Sequence, residues 1–61
     1  RKDDPKYLST IAMVYFNDDD LDQAIQWQRR AYQAARSKKK QSYKITLDRY
    51  RTQKSQASAS D

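Results

Sequence analysis

Six residues constrain this chain more than any others. They are Leu8, Ile11, Ala12 and Tyr15, then Ala24 and Ala31 beyond an Asn17-Asp18-Asp19-Asp20 break. Written out, the spacing is L-x2-I-A-x2-Y-x8-A-x6-A. Intervals of three and four put the first group on one face of a helix. The alanines stand where two helices need close approach. The pattern predicts an all-α fold built on an antiparallel helical hairpin. Tyr7, Met13, Val14 and Phe16 extend apolar surface around the first helix, further than a single hairpin partner can cover. Such a unit is expected to stack on something else.

Local signals place the helix ends. Asp4 caps free amides and Pro5 suits the first helical position, so the first helix begins there. Asp20 caps the second helix, with Gln23 three residues on completing a capping-box pattern. Leu21, Ala24, Ile25, Gln28, Ala31, Tyr32 and Ala35 form its main stripe, interrupted only by Gln28, while Trp27 and Ala34 lie on a second stripe. Tyr43, Leu47 and Tyr50 predict a third helix from about Gln41 to Thr52. Thr46 and Lys54 continue its row, Ile45 lies off it, and Lys44, Asp48 and Arg51 can pair along its exposed side. One apolar stripe with a polar back is what a terminal capping helix requires. Residues 1–54 therefore form the folded unit, and the Ser/Ala/Gln run 55–61 is expected to be a disordered tail.

The spacing resembles the tetratricopeptide repeat (TPR), whose pattern runs W-x2-L-G-x2-Y, then Ala, an aromatic, Ala and Pro over about 34 residues. Leu8, Ile11, Ala12 and Tyr15 stand at the first four positions, and Ala24 and Ala31 at the two alanines. The likeness covers Pro5 to Arg36. Asp19 occupies a turn position that is commonly Gly, and Asp tolerates a left-handed backbone better than most residues. Gln28 stands at the aromatic position and Arg36 at the Pro, so the second helix is expected to run past the usual stop. The resemblance implies a single TPR-like hairpin plus a capping helix, and a role in protein–protein interaction. By position the peptide-facing side would be Lys6, Ser9, Met13, Phe16 and Asn17. Only Lys6 and Asn17 suit a carboxylate clamp, so an apolar contact through Met13 and Phe16 is the expected mode.

Composition narrows the function further. The 61 residues contain no Cys and no His, which removes disulfides and the usual zinc ligands. So short a chain is marginal alone, and partner association is the remaining reinforcement. Beginning with Arg, it fits the C-terminal part of a larger protein. The Asp18, Asp19, Asp20 and Asp22 cluster lies in a turn, and Asp22 stands where a calcium loop needs Gly. No metal, no cofactor and no catalytic constellation is expected. Residues 1–22 carry three cations and six carboxylates, whereas residues 23–61 carry ten and two. Arg29, Arg30, Arg36, Lys38, Lys39 and Lys40 are candidate anion contacts, which leaves nucleic acid or an anionic surface as the alternative partner. The principal expectation is a docking or oligomerisation module. Its contacts run through Tyr7, Met13, Val14, Phe16 and Trp27, and it is a homo-oligomer when isolated.

Overall fold

A computed structural model describes residues 4–36 and 38–59. It is all-α: α1 spans Pro5–Asn17, α2 Leu21–Ala34 and α3 Lys38–Ala59. α1 and α2 form the antiparallel hairpin, and α3 packs chiefly along α2. Among the described residues there is no strand.

The N-terminal boundary follows directly from the sequence. The Asp4 carboxylate accepts the Lys6 amide at 2.9 Å, and Pro5 fills the first helical position, where no amide is needed. At the other end Asp19 enters the left-handed region at φ 63°. Its amide donates to the Phe16 carbonyl at 3.1 Å, while the Asp20 amide reaches back to Tyr15 at 2.9 Å. Those crossed bonds are a Schellman closure, satisfying carbonyls that the helix end leaves free. Asp20 then caps α2 by accepting the Gln23 amide at 3.3 Å. The reciprocal half of the capping box does not form, because the Asp20 amide is already committed to Tyr15.

Small residues set the helix spacing. Ala12, Ala24 and Ala31 are completely buried, and Leu8, Ala35, Leu47 and Tyr50 nearly so. Around Ala12, Ala24 and Tyr50 pack the half-buried Tyr15, Phe16, Ile25 and Trp27. The Phe16 and Tyr50 rings stack, with centroids 4.5 Å apart and planes at 17°, tying α1 to α3. Burial raises the Tyr50 pKa, an effect that the nearby Arg49 charge partly opposes.

Four expectations need correction. α2 does not run past Arg36; it stops at Ala34, because Ala35 turns extended (φ −71°, ψ 152°) while its amide still bonds to Ala31 at 2.9 Å. α3 is longer than Gln41–Thr52 at both ends. The expected disordered tail is helical over residues 55–59, and residues 60 and 61 lie outside the described residues. Lys, Gln and Ala are good helix formers, and Lys54 is tied to Asp22 at the start of α2, so nothing stops α3 at Thr52. The Lys44–Asp48–Arg51 pairing also fails to close: among the described residues the ion pair is Lys54 with Asp22.

The result is thin. The principal extents are 38 × 19 × 12 Å, and the smallest approaches the diameter of one helix. A slab of this kind has two broad faces and little interior. Because Asp19 bears the left-handed strain of the turn, Asp19→Val should cost about 1–2 kcal/mol, while Asp19→Gly should cost nothing or stabilise. Urea denaturation followed by circular dichroism measures both.

Candidate functional site

One face of the slab is used up by the fold itself. Gln28, at the middle of α2, is the one fully buried polar side chain among the described residues. The Ser9 hydroxyl of α1 donates to its Oε1 at 3.0 Å, and its Nε2 donates to the Tyr43 carbonyl of α3 at 3.1 Å. A main-chain carbonyl only accepts, so this neighbour fixes which way the amide points. Among the described residues no buried side-chain polar atom is left without a partner. The residue that seemed to interrupt the α2 stripe is thus the clasp of all three helices.

The opposite face is open. Tyr7, Leu8 and Ile11 of α1 and Trp27, Arg30, Gln33 and Ala34 of α2 line a groove of about 700 Å3, to which α3 contributes nothing. Tyr7 is 53% exposed, and Val14, continuing the same side of α1, is 59% exposed. The Arg30 guanidinium lies over the Trp27 ring, 5.0 Å from its centroid. This stacking holds a cation at the groove wall without neutralising it.

The predicted contact residues therefore divide. Tyr7, Val14 and Trp27 belong to the open face. Lys6, Ser9 and Met13 line a smaller hollow of about 290 Å3 against α3, with Thr10, Tyr43, Thr46 and Tyr50. Lys6 and Asn17 are exposed, and Met13 is 49% exposed. Ser9 and Phe16 are engaged within the fold, by Gln28 and Tyr50 respectively, and both are partly buried. Ile11, Leu8, Gln33 and Ala34 were not anticipated as groove residues. For Ile11 the signal was its interval of four and three with Tyr7 and Val14, and for Ala34 the second α2 stripe that it shares with Trp27.

The candidate anion contacts do not all converge. Arg30 is in the groove, whereas Arg29 lines a hollow with Ile25, Arg51, Lys54 and Ser55. Lys40 lies over the Tyr32 ring at 5.0 Å, in a nook shared with Gln41 and Lys44. Arg36, Lys38 and Lys39 are exposed at the α2–α3 joint. Among the described residues no three His, Cys, Asp or Glu side chains are grouped to hold a metal ion. No described helix is long and apolar enough to cross a membrane.

Compared with protein-family models, curated proteins and solved structures, the chain gives no significant match.

The clasp generates a sharp expectation. Gln28→Glu places a carboxylate against the Tyr43 carbonyl and should cost about 3 kcal/mol at pH 7. Burial raises that carboxyl's pKa, so the stability is present at acid pH, where the protonated group again donates to Tyr43, and is lost as pH rises. Thermal melts of Gln28→Glu at pH 4 and pH 7 test this. Equal losses at both would mean that the amide is not the clasp.

Proposed function

We propose that the chain is a non-catalytic docking module of TPR type, which uses the α1/α2 groove to pack against another polypeptide surface. The observation that carries this reading is the distribution of apolar side chains: on one side of the hairpin Tyr7 and Val14 are exposed, and beside them Ile11 and Trp27 are only half-buried. The resemblance of Leu8, Ile11, Ala12, Tyr15, Ala24 and Ala31 to a repeat that works by stacking supports it.

Energetics favour occupation of that face. Covering three half-exposed side chains of this size is worth about 3 kcal/mol before the entropy of association is subtracted. For a domain of this length that is a large part of its total stability. Aromatic and Arg side chains are the ones that anchor interfaces, and Trp27 with Arg30 supplies both together. A cationic surface role draws less support, since Arg29 and Arg30 face different hollows and Lys40 is stacked on Tyr32.

Site-specific photo-crosslinking separates this face from the rest. With p-benzoylphenylalanine replacing Tyr7 or Val14, cells producing the protein should yield a discrete cross-linked product on irradiation. The same group at Ile45, which is 56% exposed on α3, should not. Equal yields at all three positions, or none at Tyr7 and Val14, would contradict the reading.

A further inference from the structure

Each pair of helices leaves a furrow on the outside of the fold. Between α1 and α2 it is the apolar groove, and between α1 and α3 it is the hollow around Lys6 and Met13. The α2/α3 furrow is basic. Arg29, Arg51 and Lys54 line one of its hollows, Lys40 and Lys44 line the other, and no carboxylate lines either. Ile25, Arg29 and Tyr32 are spaced by four and three on α2, and Lys40, Lys44, Arg51 and Ser55 by four, seven and four on α3. Each set lies on one side of its helix, so the two hollows run end to end along one seam. On α2 that side is opposite to Trp27 and Arg30, and the furrow shares no residue with the apolar groove.

Acidic residues mark its limits. Asp22 takes Lys54 and, with Asp18, Asp19 and Asp20 in the preceding turn, closes the furrow at that end. The other end opens on the α2–α3 joint, where Arg36, Lys38 and Lys39 are exposed. Arg29, Lys40, Lys44 and Arg51 remain inside, and Lys40 to Arg51 covers about 16 Å of α3. Stacking on Tyr32 at 5.0 Å fixes Lys40 without neutralising it. Against these four cations stands one charge, that of Asp48, which is exposed on α3 and makes no ion pair among the described residues.

We propose that this furrow grips the phosphate backbone of a DNA duplex through charge. Cations repeated along a trough match a chain of closely spaced anions. The one ring in the furrow, Tyr32, lies beneath Lys40, so the bases of a single strand find no stacking platform there. An acidic amphipathic helix needs an apolar strip to lie on, and Ile25 is the single aliphatic side chain in the lining. The furrow and the apolar groove use opposite sides of α2, so both can be filled at once.

Fluorescence anisotropy of a labelled DNA duplex of about 20 base pairs, titrated with the 61-residue chain from about 20 to 150 mM salt, tests the proposal. Four phosphate contacts predict that log K falls with log salt at a slope of about −3.6. Lys44→Gln combined with Arg51→Gln should weaken binding by about ten-fold or more at the lowest salt and make the slope shallower by about two. Arg29→Gln, on the other helix, should make it shallower by about one. Lys6→Gln combined with Arg49→Gln removes as much charge from outside the furrow and should leave the slope unchanged. Circular dichroism should show the same helix content throughout. No binding at the lowest salt overturns the proposal, as do equal losses from the two charge-matched pairs. A single strand of the same length bound as tightly as the duplex also overturns it. So does displacement by polyglutamate or phosphatidylserine vesicles as effective, charge for charge, as displacement by unlabelled duplex. No variant here alters the apolar groove, so cross-linking through Tyr7 and Val14 is a separate result, and either reading can fail without the other.

Discussion

The fold depends on one buried amide. Gln28 is held between a hydroxyl of α1 and a main-chain carbonyl of α3, and both bonds must form for the group to tolerate complete burial. That requirement fixes the side of α2 on which α3 lies. Ala12, Ala24 and Ala31 let the backbones come close enough for the bonds to be short. An apolar residue in place of Gln28 would fill space without specifying where α1 and α3 sit around α2. The clasp draws both neighbouring helices to one side, and the other side of the hairpin is left with its apolar stripe facing solvent.

Much of this was legible in the sequence, and the failures have physical causes. The start of α1, the left-handed Asp19, the buried alanines and the exposure of Ile45 all follow from local rules that depend on a few neighbouring residues. Gln28 did not follow, because its two partners come from elements 19 and 15 residues away in the chain. A polar residue in an apolar stripe looks like a fault until its distant partners are known. The end of α2 was missed for a related reason: the missing Pro at Arg36 argued for continuation, whereas the backbone turns already at Ala35. The length of α3 was missed because Ser, Ala and Gln resemble a tail by composition yet are compatible with helix once Lys54 is anchored to Asp22.

The contact surface was half legible. Tyr7, Val14 and Trp27 were recognisable as surplus apolar residues, but Phe16 was grouped with them and is stacked on Tyr50 instead. Sequence spacing shows that a residue is apolar and on which face it lies, not which element a neighbouring helix will cover. Arg30 was read for its charge alone, and its place over Trp27 makes it part of an apolar groove. Its basic neighbours face elsewhere, so a charge run in the sequence becomes several separate surfaces in the fold.

Trp27 is the one tryptophan of the chain and lines the open groove, which makes it a direct reporter of the central claim that this face is completed from outside. Acrylamide quenching of its fluorescence, followed from nanomolar to millimolar protein, measures that completion. The account predicts ready quenching at the lowest concentrations and increasing protection as a second polypeptide covers the groove, at unchanged helicity. An indole already shielded from acrylamide at nanomolar concentration, in a chain that is helical and monomeric, would contradict it.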